Sequence, residues 1–325
     1  MLILVDCRPL QTAGPDSEKA RIIFSIVTAL SKDPDLQWLV VADQALPKPG
    51  LKDIEILTTR AYKGRLGWRR WYNSRLPGLA KKHGAGLIMT TGGIAARGPV
   101  PQCLWMPERA NPKQGHGYAP LYAGRLIESL RRASVVFCFS TRDRDWLTSQ
   151  AGSGATSPIV LRPWPEAPGP LPVIEREKVK TELAGGREYF FADTAGAGEE
   201  DVIHLLKAFS LFKKRQLSNL PLVIKGVATA SLQTKLDTYK YREDIIWCAP
   251  SAEPDGRPAA AAYAALFLFD GQSLGTPILD AWKRGVPVLL AAGGPLQELA
   301  GEAALVADSS DPAKKPPERA YSPKK

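Results

Sequence analysis

The sequence predicts an α/β protein made of two doubly wound parallel-sheet domains. Two observations carry that prediction. Short apolar runs that read as strands alternate with segments of helical spacing along almost the whole chain, the pattern of a parallel sheet covered by helices on both faces. The alternation breaks once, at Arg162–Pro172, where five prolines and one glycine fall within eleven residues, and then restarts. Neither a helix nor a central strand survives that proline density. The expected organisation is an N-terminal domain over 1–162, a proline-rich linker over 163–172, a C-terminal domain over 173–311 and a disordered Pro/Lys-rich tail over 312–325, with a crevice between the domains. A chain of 325 residues is long enough for two such cores.

The N-terminal elements follow in order. Leu2–Val5 is a continuous apolar run, as expected of a strand buried on both faces. Arg21–Leu30 has helical spacing, and Trp38–Ala42 and Asp53–Leu57 read as strands. Trp68–Lys82 reads as a helix, Leu87–Thr90 and Gln102–Met106 as strands, and Leu121–Ala133 as a helix. Val135–Ser140 is a strand whose terminal serine can cap the helix Thr141–Gln150. After the linker come a strand at Tyr189–Ala192, a helix at Val202–Lys214, a strand at Pro221–Lys225, a helix at Leu232–Lys240 and a strand at Ile245–Cys248.

The C-terminal domain closes with the stretch Ala264–Val306: an apolar run ending at Phe269, a turn at Asp270-Gly271, the loop Gln272–Pro277, a helix at Ile278–Arg284, a strand at Val286–Ala291 and a second helix starting near Pro295. A loop at the carboxyl end of a parallel strand is where open sheets bind ligands. A helix opening after Gly275 also offers unpaired N–H groups to an anion. Lys225, at the carboxyl end of its strand, puts an ammonium at that crevice, where it can meet phosphate or reach solvent.

Composition narrows the function classes. The four cysteines are far apart with no CxxC spacing, so Cys7, Cys103 and Cys138 read as buried free thiols of a reducing compartment. No run approaches the ~18 apolar residues of a membrane span. The opening Met1–Asp6 reads as a first strand rather than a signal peptide. No metal or cofactor is expected. Charge is uneven: residues 1–165 hold 23 basic and 12 acidic residues, against 20 and 21 in residues 166–325, so the net charge of +10 resides in the first half. That half is expected to meet something anionic. Tyr62–Lys82 concentrates seven basic residues and four large aromatics. Its stripe Trp68, Trp71, Tyr72, Leu76 and Leu79 reads as core against the sheet, or as a basic-aromatic surface for anionic lipid in which Arg69, Arg70, Lys81 and Lys82 would face the headgroups. Nothing resembles a nucleic-acid module. Arg8 and Arg109 follow strands and are expected on the acceptor side, with Glu108 beside them. His83, His116 and His204 read as surface residues.

Six fragments, in order and at matching spacing, resemble the family 4 type of retaining glycosyltransferases: Ala133-Ser-Val-Val-Phe-Cys-Phe-Ser140, Leu205-Leu-Lys-Ala-Phe209, Leu222-Val-Ile-Lys-Gly226, Pro277-Ile-Leu-Asp-Ala281, Gly285-Val-Pro-Val288 and Glu298-Leu-Ala-Gly-Glu-Ala-Ala304. The resemblance runs from Ile3 to about Asp311. It implies two facing Rossmann-like domains of the GT-B type. It also implies transfer of a sugar from a nucleotide-diphosphate donor to a glycan or lipid-linked acceptor in polysaccharide biosynthesis, in the cytoplasm or at the inner face of the membrane. The departing diphosphate must then be neutralised as its charge develops.

The same resemblance locates the donor site and shows it altered. The family's acidic pair maps onto Gln272, where an amide replaces a carboxylate, and Asp280, eight residues later, which is implied to accept from ribose hydroxyls. Gln272, Ser273, Leu274 and Gly275 take the place of the family's Glu-Gly-Phe-Gly loop. The Arg-Lys phosphate clamp maps onto Glu199 and Glu200, followed by Asp201, a reversal of charge that suits a helix start and would repel a diphosphate by a few kcal/mol at ~4–6 Å. The Gly-x-Gly-Arg loop maps onto Glu18-Lys-Ala-Arg21, and the His-Asp pair onto Pro107-Glu108. Two readings follow: a divergent glycosyltransferase, in which Lys225 can replace the clamp, or a catalytically degenerate relative that binds glycan or stabilises a protein partner.

Overall fold

The computed structural model describes residues 1–13, 18–43, 54–60, 64–106, 118–152, 154–162, 169–194, 197–226, 228–248, 256–268, 275–293 and 295–307. The chain divides into two compact units, Met1–Glu166 and Ala167–Lys325.

In the first unit the strands are β1 (Leu2–Asp6), β2 (Gln37–Ala42), β3 (Glu55–Thr58), β4 (Leu87–Thr90), β5 (Gln102–Trp105), β6 (Val135–Cys138) and β7 (Ile159–Val160). They form one sheet in the order β3-β2-β1-β4-β5-β6-β7, and every paired neighbour is parallel. Its helices are α1 (Arg8–Ala13), α2 (Glu18–Leu30), α3 (Gly64–Arg70), α4 (Leu76–His83), α5 (Tyr118–Arg132) and α6 (Thr141–Ala151). Ser140 caps α6 through its side chain, accepting from the Asp143 N–H at 3.0 Å. Buried Leu4, Leu39, Ile88, Leu104 and Val136 line one face of the sheet and pack with Trp68, Tyr72, Leu76 and Leu130 from the helices.

The second unit opens with α7 (Val173–Ala184), a helix the proline-rich stretch concealed in the sequence. Pro172 precedes it, where a missing N–H costs nothing. The strands β8 (Phe190–Asp193), β9 (Leu222–Lys225), β10 (Ile245–Cys248), β11 (Ala264–Phe267), β12 (Val288–Ala291) and β13 (Leu305–Ala307) form a parallel sheet in the order β10-β9-β8-β11-β12-β13. The helices are α8 (Glu199–Gln216), α9 (Ala230–Asp237), α10 (Arg257–Ala260), α11 (Thr276–Lys283) and α12 (Pro295–Ala300). The parallel sheet covered by helices that the apolar runs predict is therefore present in two copies, with α1, α7 and α10 added to the helices read from the sequence. All four cysteines are buried and free. No helix among the described residues is long and apolar enough to cross a membrane.

Candidate functional site

Each sheet has one point where the strand order reverses, between β1 and β4 in the first unit and between β8 and β11 in the second. The carboxyl ends of the strands beside these points are where an open parallel sheet leaves room for a ligand. The two ends are built differently.

In the first unit, β1 ends at Asp6, which is fully buried. One carboxylate oxygen accepts from Trp71 Nε1 at 3.0 Å and the other from the Arg8 backbone N–H at 3.3 Å. Burial raises this carboxyl to a pKa of about 6, with the Trp71 hydrogen bond and then the Arg8 charge pulling it back. The Arg8 guanidinium lies 4.6 Å from the Trp68 ring centre and 4.3 Å from that of Trp71, and pairs with Asp43 at 3.4 Å. Arg8 thus has no exposed surface. The sequence reading that put it toward an acceptor missed the two indole faces that cover it.

Trp71 is aimed by a π-turn, Trp71–Arg75, set between α3 and α4 in one continuous helical stretch. Pro77 explains it. Proline has no N–H to donate and would clash with the carbonyl one turn earlier. Widening the turn lets the Leu76 N–H bond to Trp71 O and leaves Tyr72 O to accept from the Arg97 N–H at 2.9 Å. The aromatic stripe is core: Trp68, Trp71, Tyr72 and Leu76 are all buried. Arg65, Arg69, Arg70, Arg75, Lys81 and Lys82 occupy the exposed face of the same stretch. No acidic residue occurs between Glu55 and Glu108 to offset them.

In the second unit the edge is ionic and half-exposed. β8 ends at Asp193 and β9 at Lys225, which stand opposite each other in the parallel register. Lys225 Nζ donates to Asp193 Oδ2 at 3.0 Å, with the two side chains 36% and 17% exposed. Lys225 closes β9 and leans onto β8, the strand that borders the reversal point. Thr194 bridges the same corner, its hydroxyl donating to Lys225 O at 2.9 Å. A Cβ on Gly226 would come 2.1 Å from that hydroxyl, so the fifth position of Leu222–Gly226 must be glycine for the two strand ends to meet.

Glu199 and Glu200 open α8. Glu199 accepts from Lys235 Nζ and Ser231 Oγ, each at 2.8 Å, and from Thr229 Oγ1 at 3.3 Å. These bonds, that of Lys235 foremost, hold its carboxyl below the usual carboxylate range. Its charge is therefore spent on the start of α9, where Thr229 is the cap. Asp201 accepts from the Gly198 N–H at 2.8 Å, and Glu200 remains exposed. The expected electrostatic obstacle is smaller than three bare acids would make.

α11 starts after Gly275, which has φ +96°. A Cβ there would also lie 2.1 Å from Leu299 Cδ2, so both conformation and space select glycine. Asp280 sits half-buried one turn after buried Thr276 on the same helix face. Gln272, Ser273 and Leu274 lie outside the described residues, as do Pro107, Glu108, Arg109 and His116. Glu18–Arg21, at the family's glycine-loop position, is the first turn of α2. His83 ends α4 and His204 is exposed on α8. Among the described residues no group of three or more His, Cys, Asp or Glu could hold a metal ion.

Sequence reasoning missed three participants. Asp6 and Asp193 each end an apolar strand, and a carboxylate closing such a run was the available signal. The π-turn had a signal too, Pro77 inside a helical pattern.

No protein-family model matches the chain, and no curated protein matches it in sequence. Solved structures do match in shape. Anabaena HepE in complex with UDP-glucose aligns at a TM-score of 0.67 and 15% identity over 94% of this chain and 85% of its own. WaaG, a glycosyltransferase involved in lipopolysaccharide biosynthesis, aligns at 0.61 and 13% identity over 94% and 85%. The fold is GT-B. UDP-GlcNAc 2-epimerase from Methanocaldococcus jannaschii aligns as well, at 0.52 and 11% identity over 95% of this chain and 88% of its own. The GT-B frame thus carries more than one chemistry, and function has to be argued from the residues set on it.

Proposed function

We propose that this chain is a glycosyltransferase of the retaining, hexosyl-transfer type, related to family 4, which takes a nucleotide-diphosphate sugar at the carboxyl edge of its second sheet. The observation that supports this most is the likeness, along nearly the whole chain, to a protein solved with UDP-glucose. Within that edge, the N-terminal end of α11 behind Gly275 would favour the negative charge of the donor, and half-buried Asp280 would accept from ribose hydroxyls. Gln272, Ser273 and Leu274 would complete the donor loop, and Lys225 would meet a phosphate. The acceptor, a glycan or a lipid-linked sugar, would be met by the first domain, with Glu108 and Arg109 on that side. Arg69, Arg70, Lys81 and Lys82 lie on an outward basic face suited to an anionic membrane surface, which would place the protein in the cytoplasm at the inner leaflet. The linker would be 163–172.

A second reading is favoured by one observation. Glu199 stands where the family carries a cation and is committed to α9. A degenerate relative that binds glycan, or stabilises a partner enzyme, would have that feature.

Calorimetric titration with nucleoside diphosphates and nucleotide sugars decides between them. The first reading predicts micromolar binding by at least one of them, with loss in Asp280→Ala. Absence of binding by every member of the panel contradicts it. Sedimentation with anionic vesicles should weaken steeply with salt and with Arg69→Glu/Arg70→Glu.

A further inference from the structure

We infer that Asp193 is a built-in counter-ion that holds Lys225 in place of an anionic ligand, so that the Asp193–Lys225 pair sets how strongly this edge accepts a phosphate-bearing molecule. The inference deepens the donor-site reading above and rests on it only for the identity of the ligand.

The two residues end neighbouring strands at the same register level. Their side chains meet at 3.0 Å beside the point where the strand order reverses. Lys225 keeps 36% of its side chain exposed, so an anion can reach the ammonium from solvent. A half-exposed ion pair of this kind is weakly held, and a doubly charged phosphate group can outcompete it.

The backbone around the pair is fixed. Thr194 bonds to Lys225 O through both its N–H and its hydroxyl, and the Gly226 N–H donates to Cys248 O at 3.2 Å. The side chains can therefore change partners without moving the strands. The other charges at this corner do not compete for Lys225 in the same way: Glu199 is bound by Lys235, Ser231 and Thr229, and Asp201 by the Gly198 N–H. Asp193 is what an incoming phosphate must displace. A neutral sugar gains nothing from that exchange, so the pair selects for the phosphate end of a ligand.

Isothermal titration of inorganic pyrophosphate and of a nucleoside diphosphate into the full chain tests this. Asp193→Asn removes the competitor and should tighten both ligands about tenfold. Lys225→Met should weaken both by a similar factor, and Lys225→Arg should restore most of the loss. Thermal melting of each variant confirms that it is folded. If Asp193→Asn leaves pyrophosphate affinity unchanged, or weakens it in a folded protein, the inference is wrong. Nucleotide binding that is indifferent to Lys225→Met contradicts the inference while sparing the donor reading. Pyrophosphate binding that responds as stated, with no nucleotide preference, spares the inference and contradicts the donor reading.

Discussion

The first and second sheets reverse strand order at the same place, yet they fill it oppositely. At the end of β1, Asp6, Arg8, Trp68 and Trp71 close over one another, all buried. At the end of β8, Asp193 and Lys225 form an ion pair that solvent can reach. Topology supplies the crevice in both cases. Side-chain volume decides whether it stays open: two indoles and a guanidinium seal the first, and a short carboxylate facing a flexible lysine leaves the second accessible. The first edge is then a matter of stability and the second a matter of binding.

That contrast can be broken by substitution. Trp71→Ala should be the most damaging change, because it opens a cavity and exposes both Asp6 and Arg8, at a cost of about 3–5 kcal/mol measured by denaturant unfolding. Asp280→Ala at the other edge should change stability by under about 1 kcal/mol while altering ligand binding. Equal stability losses at the two edges would refute the distinction.

The titration of Asp6 sharpens it next. Burial lifts its folded pKa to about 6, from the ordinary aspartate value of 3.8. Between those values the folded state holds a proton that the unfolded state has lost. Asp6 therefore favours folding below about pH 4, and that contribution disappears as pH rises through 6. The first unit should lose up to about 3 kcal/mol across that window. Asp6→Asn should flatten the slope, which urea unfolding at pH 4, 5, 6 and 7 would measure. A slope that survives Asp6→Asn belongs to another group.

Two backbone positions in the second unit test its geometry with smaller effects. Gly275→Ala sets a Cβ against Leu299 at φ +96° and should cost about 1–3 kcal/mol, read as a lower melting temperature. Leu217, 89% exposed at the end of α8, has φ +49°. Leu217→Gly relieves that conformation with no packing to lose, and should stabilise the unit by about 0.5–1 kcal/mol.

Much of the fold was legible because buried parallel strands are short apolar runs, and Leu2–Val5 and Leu87–Thr90 stand out as such. Two of the edge strands did not: β7 has two residues and β13 three, too short to carry a pattern. α7 was hidden by the prolines before it. The site was legible as positions rather than as partners. Lys225 could be placed at a strand end from its neighbours in sequence, but Asp193 lies 32 residues away and only the parallel register brings them together. Likewise Glu199 reads as a repelling charge until Lys235 is seen beside it.

Hydrogen-exchange mass spectrometry with and without a saturating nucleoside diphosphate tests the contrast between the two edges most directly. Protection should appear at 222–229 and 275–283 and leave 2–8 and 64–76 unchanged. Protection confined to the β1 edge, or to neither edge, would contradict the account.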